Sequence, residues 1–395
     1  MRVRLGFTLC AALLLSTSVG CDSKGLNSEV LRVDSAGIEI VESAGEDTEL
    51  TWTFEKEFEL GGEETGPESF FSVGPLRVGV DGSGRIHVLN PTESQVAIFT
   101  PEGEFIRTVG AHGEGPGEIS MAASLAVSSE GTVSVFDFGK GGLVRFGPDG
   151  ESLPNLPFPF FPWPGTTRHV AETAEGFLVA TMATPLVENT FRHALQLISG
   201  RDTVFIAERT FPRPEMAMFP SCGGGLNLPR VFEVQVSWAV QAGTVAVSRS
   251  DLYEMEIFES GQLVRVVKRG LDRRSATDQM AIEELGEGYT INFGQGPCTI
   301  PPREMVDARG FAETLPWIAQ VTLAPGGEIW VERKELGATT SGAIDVFDGS
   351  GAYQGTLPAG TPFPLVFLDE NRFGAAETDA TDISRFVVYR VHGRP

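Results

Sequence analysis

Short apolar runs recur along this chain, each closed by a tight turn rich in Gly, Pro, Asp or Asn. Residues 96–99, 143–146, 255–258 and 344–347 share one spelling: an apolar run ending in Phe, then a turn built on Gly103, Gly150, Gly261 or Gly349 and Gly351. Brief alternating runs separated by such turns predict short strands joined as hairpins. One whole unit reads as strands over 76–80, 85–89, 95–99 and 105–109, with a turn at 81–84 between the first two. A hairpin unit repeated along the chain signals a repeat architecture.

The turn between first and second strands marks each unit at Gly84, Gly131, Gly176, Gly243, Gly327 and Asn371, spaced 47, 45, 67, 84 and 44 residues apart. Four-stranded propeller blades take about 40–50 residues each. The two long intervals therefore carry insertions, at about 208–233 and 271–316; within the second, 275–285 predicts a short amphipathic helix and 286–302 a loop. Six marks predict an all-β, six-bladed β-propeller of four-stranded antiparallel blades over 37–393. The last unit shows three strands, over 365–368, 372–376 and 385–391, so 52–60 is expected to supply its fourth from the N-terminal side. Closing the ring in this way removes free sheet edges. A further strand at 37–41 has no assigned place.

Composition agrees: 41% hydrophobic, 21% charged, 47 Gly and 25 Pro suit a turn-rich globular chain. Residues 1–20 add an export signal, with Arg2 and Arg4 before an apolar stretch and small residues before Cys21. That stretch is too short for a permanent span. Its end resembles a bacterial lipobox, which implies cleavage before Cys21 and diacylation of that residue, with 21–36 as a polar tether. Plain secretion with cleavage near Cys21 is the alternative. Removing 1–20 takes two Arg and no acid, so the net charge moves from −23 to −25. Such a chain repels phosphate backbones, which excludes nucleic-acid binding. Beyond Cys10 in the signal and Cys21, two cysteines remain. In an exported chain Cys222 and Cys298 predict one disulfide, with free buried thiols as the alternative.

Residues 84–90, with 96–99 and the turn at 101–103, resemble an NHL repeat. The loop 110–118 looks like the Gly-Pro-Gly-Glu signature of bacterial six-bladed propeller lipoproteins of NHL-like or TolB-like type, and 314–316, 327–331 and 346–348 are similar to that group. The resemblance implies export and a six-bladed ring. It implies no defined activity and brings no catalytic motif.

Candidate chemistry is sparse. The Gly-rich loop 110–118 leads into a strand, not a helix, so it reads as a crossover between blades and not as a phosphate cradle. Connections from fourth to first strand and from second to third strand share one propeller face. That face collects Asn90, Glu93, His112, Glu114, Glu118, Asp137, Arg249, Asp251, Arg333 and Glu377 as a candidate ligand-binding rim. Lactonase and gluconolactonase propellers set oxygen ligands around a central calcium, so Asn90 and Asp137 are the metal candidates. His112 is the candidate acid or base of a lyase reading. No Gly-x-Ser-x-Gly elbow occurs. Residues 153–165 alternate Pro with Phe158, Phe160, Phe161 and Trp163, either a recognition patch or packing that caps the ring edge or fills the space between two blades.

These features point to a lipid-anchored envelope propeller that binds a protein, a glycan or a small molecule without a cofactor. The alternatives are a calcium-dependent lactonase or hydrolase, and a lyase.

Overall fold

The computed structural model describes residues 30–158, 170–182, 190–200, 202–212, 215–294, 296–337 and 341–394. The export signal, Cys21, Phe160, Phe161 and Trp163 lie outside them. The chain forms a six-bladed β-propeller. Blade 1 runs Val78–Val80, Ile86–Asn90, Gln95–Phe99 and Phe105–Val109 from the axis outward. Blade 2 runs Ala122–Val127, Val133–Asp137, Gly142–Phe146 and Ser152–Pro157, and blade 3 runs Val170–Thr173, Gly176–Met182, Thr190–Ser199 and Asp202–Pro212. Blade 4 is Ser237–Gln241, Thr244–Ser248, Glu254–Glu259 and Gln262–Arg269; blade 5 is Ile318–Leu323, Ile329–Arg333, Ile344–Phe347 and Tyr353–Leu357. Blade 6 takes Val366–Phe367, Arg372–Thr378 and Ser384–His392 from the C-terminal end.

Alternation along the strands explains why the blades stack. Each sheet is apolar on both faces, and six buried clusters fill the spaces between consecutive blades all the way round. Leu89 and Val96 of blade 1 meet Val135 and Val144 of blade 2. Phe386 and Val388 of blade 6 meet Ile86 and Val88 of blade 1, closing the ring. The turn marks need the left-handed backbone: Gly84, Gly131, Gly243 and Gly327 have φ between 81° and 88°, a conformation glycine adopts at little cost.

The N-terminal segment does more than close the ring. β1 (Val30–Ser35) and β2 (Ile38–Ser43) form a hairpin, and β2 lies parallel to Gln262–Arg269, giving blade 4 six strands. This places the strand foreseen at 37–41. Val30 to Ser35, expected within a polar tether over 21–36, instead pair with Ser43 to Ile38 as strand. The chain then crosses blade 5, where Leu50 donates to Thr356 and Thr356 to Thr48 at 2.9 and 2.7 Å. β3 (Thr53–Leu60) finally pairs antiparallel with Ser384–His392 and completes blade 6.

The two insertions follow the outer strands of blades 3 and 4, so both rise from the same face. The first holds the hairpin Ala217–Phe219 and Gly224–Leu226. The second holds α1 (Asp278–Glu284), capped by Thr277 at the amide of Met280, and α2 (Pro302–Arg309). The segment 286–302, expected as loop, contains the hairpin Tyr289–Asn292 and Pro297–Ile300. Thr290 and Thr299, paired across it, bond through their hydroxyls at 2.8 Å. Of the aromatic stretch, Phe158 fills the space between blades 2 and 3, 5.5 Å from the Phe136 ring, as one of the packing readings expects.

Candidate functional site

The first strands of all six blades enclose an axial channel of about 1730 Å³. Val80, Val127, Ala171, Ala239, Val321 and Val366 contribute apolar wall, while Arg145, Glu172, His193 and Gln320 contribute polar groups. Glu172 reaches Arg145 at 3.9 Å and Ser134 at 3.4 Å. Burial raises its carboxyl above the usual range. His193 is 1% exposed; its Nδ1 accepts from the amide of Val236 at 2.8 Å, and burial pulls its pKa down to about 4. With Nδ1 accepting, the neutral ring carries its proton on Nε2, which has no hydrogen-bond partner among the described residues.

Over one mouth the insertions fold together as a cap. Cys222 and Cys298 form the disulfide, with Cα atoms 5.7 Å apart. Val231 pairs with the strand-like stretch at Gly310 and Ala312, and Arg309 donates to the Pro229 carbonyl. Val231, Phe232, Ala281, Val306 and Leu315 make a small core, and Phe219, Ile300 and Met305 make a second. Lys334 of blade 5 ion-pairs with Glu284 at the end of α1, and the Arg274 guanidinium lies 4.1 Å over Trp317. Phe232, Glu233, Gln235 and Glu284 thereby join the channel lining.

Most residues of the candidate rim are spent on local bonds and do not converge on the axis. Asn90 donates to Ser69 and accepts from the amides of Thr92 and Glu93. Asp137, wholly buried, accepts from the amides of Ser120, Met121 and Lys140 at 2.6, 3.2 and 3.1 Å. Glu118 turns back into its own Gly-rich loop and accepts from Gly115 at 2.7 Å, while Lys140 holds the carbonyls of Gly115 and Glu118. His112 is exposed and meets Ser94 at 3.3 Å. Arg249 grips Glu256 with two bonds of 2.8 Å, Asp251 pairs with Arg273 at 3.1 Å, and Glu377 meets Lys56 and Tyr389. Glu93 and Glu114 are exposed; Glu93 and Asn90 share a groove of about 620 Å³ with Arg77, Phe71 and Phe105. Among the described residues no three His, Cys, Asp or Glu are grouped to hold a metal ion.

Arg333 belongs to a feature that sequence reasoning missed. Asp345, wholly buried, accepts from Tyr253 and Thr356 at 2.5 Å and from Arg333 at 2.7 and 2.9 Å, with Arg269 at 3.3 Å. Asp47 bridges the same two guanidinium groups. Its hydrogen bond to Arg333 does most to hold its carboxyl below the usual range, and burial with the Asp345 charge raises the Tyr253 hydroxyl. All of Asp345's acceptor positions are filled, so the cluster locks blades 4 and 5 to the N-terminal segment. Its one sequence signal is an acid inside the apolar run 344–347.

A family model described as "6-bladed beta-propeller" matches residues 68–172. No curated protein matches. A Bacteroides fragilis protein described as exported superposes with a TM-score of 0.51 at 10% identity, covering 90% of this chain and 100% of its own. A DUF4221 family member from Bacteroides vulgatus gives 0.48 at 10% identity, over 87% and 99% of the two chains. Virginiamycin B lyase from Staphylococcus aureus gives 0.38 at 12% identity, over 86% and 99%. At such identities the likeness is one of fold.

Proposed function

We propose that this chain is an exported, lipid-anchored binding module of the cell envelope that captures a ligand in its capped axial channel without bond chemistry. The observation that carries the reading is the contrast between rim and channel. Asn90, Glu118, Asp137, Arg249 and Arg333 are committed to internal bonds away from the axis, whereas the first strands enclose an open channel whose wall mixes apolar residues with Glu172, beside Arg145, and Gln320, bonded to Glu332. A concave wall in which apolar strand residues alternate with polar and charged groups can hold a ligand by shape and by hydrogen bonds together. The Bacteroides fragilis protein described as exported is in keeping with the address that residues 1–20 give.

The experiment separates capture from metal-dependent hydrolysis. The melting temperature of the mature chain is measured in EDTA, in millimolar calcium, and against panels of envelope glycans and small metabolites. A ligand held by the folded state alone stabilises by roughly 3–4 kcal/mol at a hundred- to thousand-fold excess over its Kd. The reading expects a panel hit that disappears in Gln241→Trp, which fills the channel, and the same melting temperature with or without calcium. A calcium shift of several degrees, lost in Asp137→Asn and accompanied by lactone or ester turnover, would replace it with the lactonase reading.

A further inference from the structure

β1 and β2 carry the sheet of blade 4 outward beyond its neighbours, and the two faces of this extension differ. On one face Arg32 donates to Ser350 at 2.5 Å and Arg265 to Gly349 at 3.0 Å, so the blade 5 turn covers it. Strand alternation puts Leu31, Val33, Ile40 and Val266 on the other face, where Val33, Ile40 and Val266 stand in register across three strands and Leu31 stands in register with the opposite charges Glu42 and Lys268. That face looks toward blade 3, whose outermost strand ends its sheet at Asp202–Pro212. Leu31 and Val33 are 58% and 45% exposed, and Val204, on the side of that outer strand that faces blade 4, is 53% exposed. An exposed apolar strip of this kind marks an interaction surface.

The position of the chain before β1 selects the occupant. Cys21 stands nine positions before Val30, and nine extended residues span at most about 30 Å. An acyl group on Cys21 therefore brings β1 to the bilayer before any other part of the ring. We infer that the Leu31–Val33 face of β1 docks on the lipid bilayer, with the rim of blades 3 and 4 toward the membrane. This inference rests on the lipid-anchor reading above. It leaves both mouths of the channel, and the cap, facing along the membrane surface. Leu31 and Val33 lead the contact, Glu42 and Lys268 beside them carry opposite charges, and the chain is strongly acidic, so docking needs no anionic lipid and persists at high salt. The competing occupant is a second copy paired along the free edge of β1.

Full-length protein is purified from membranes, the mass of its N-terminal peptide read for acylation at Cys21, and the protein reconstituted in phosphatidylcholine vesicles carrying nitroxide lipids. A fluorophore is placed at Leu31→Cys, Val33→Cys, Asp34→Cys or, on the cap, Tyr289→Cys. Quenching at positions 31 and 33 is expected to exceed that at 34 and 289 at least twofold, unchanged at high salt, and to fall to the level of 34 when the neighbouring Leu31 or Val33 is Ser. Melting temperatures within a few degrees of the parent verify the fold of each variant. Equal quenching at all four positions in acylated protein overturns the docking face and leaves the anchor standing. An unmodified Cys21 overturns both. A doubled mass with positions 31 and 33 protected in the absence of vesicles assigns the edge to a second copy instead.

Discussion

Asn90 and Asp137 occupy equivalent ends of second strands, and the structure puts both to the same use: they organise the turn that follows. Their positions are legible in the sequence, and so is the habit of Asn and Asp of accepting from amides two or three residues on. The carbonyl of Ser69 and the amide of Ser120, which complete the two sets, lie 21 and 17 residues earlier and leave no local trace. His193 was hidden for the same reason, since its partner Val236 lies 43 residues away. Its burial has a pH signature. The unfolded ring binds a proton near pH 6.5 while the folded ring resists protonation down to about 4, so the unfolded state holds more protons between those values. The contribution is therefore complete above pH 6.5 and lost as the pH falls toward 4, by roughly 3 kcal/mol for a shift of this size. Glu172, with its raised pKa, acts in the opposite sense, so the comparison must be with a variant that retains it. Urea denaturation of His193→Asn, which keeps an acceptor for Val236, is expected to show a loss smaller by that amount between pH 6.5 and 4. Parallel losses in the two proteins would show that the ring titrates normally.

At the scale of elements, hairpins were readable and the partnership of insertions was not. Each turn sits within its own hairpin, so Gly and Asp at fixed offsets announce it. The cap depends on contacts such as Val231 with Ala312 and Ser221 with Glu304, across about 80 residues, which no periodicity encodes. The disulfide was the exception, because export and cysteine count left one pair. It closes a loop with a sequence separation of 76, for which chain entropy gives about 4 kcal/mol of stabilisation. The cap has its own small cores around Phe219 and Val306, apart from the interblade clusters. In Cys222→Ser/Cys298→Ser the loss is expected to fall on the cap, with trypsin cleaving after Arg303 and Arg309 while the ring resists. Simultaneous cleavage of cap and ring would mean that the two unfold as one unit.

For the whole molecule, the N-terminal segment has two separable roles. Blade 4 already owns four strands, so β1 and β2 lengthen a complete sheet. Blade 6 owns three strands without β3, whose Phe54 packs against Phe373 and whose Leu60 joins Phe386 and Val388 in the space next to blade 1. Between them, Arg269 donates to the carbonyls of Gly45 and Glu46, and Asp47 joins Arg269 and Arg333, so the crossing is pinned to blades 4 and 5. A chain beginning at residue 44 keeps this crossing and β3, and loses an edge hairpin whose first strand is largely exposed. It is expected to fold as a ring and to melt cooperatively within several degrees of the parent. A chain beginning at residue 61 leaves the outer edge of Ser384–His392 unpaired and opens the apolar cluster between blades 6 and 1. That chain is expected to lose the cooperative transition and to aggregate, as open sheet edges do. Calorimetry of the two proteins decides the matter. A cooperative transition in the shorter chain would show that the ring closes without its N-terminal strand, and failure of the longer one would make the β1–β2 hairpin part of the closure.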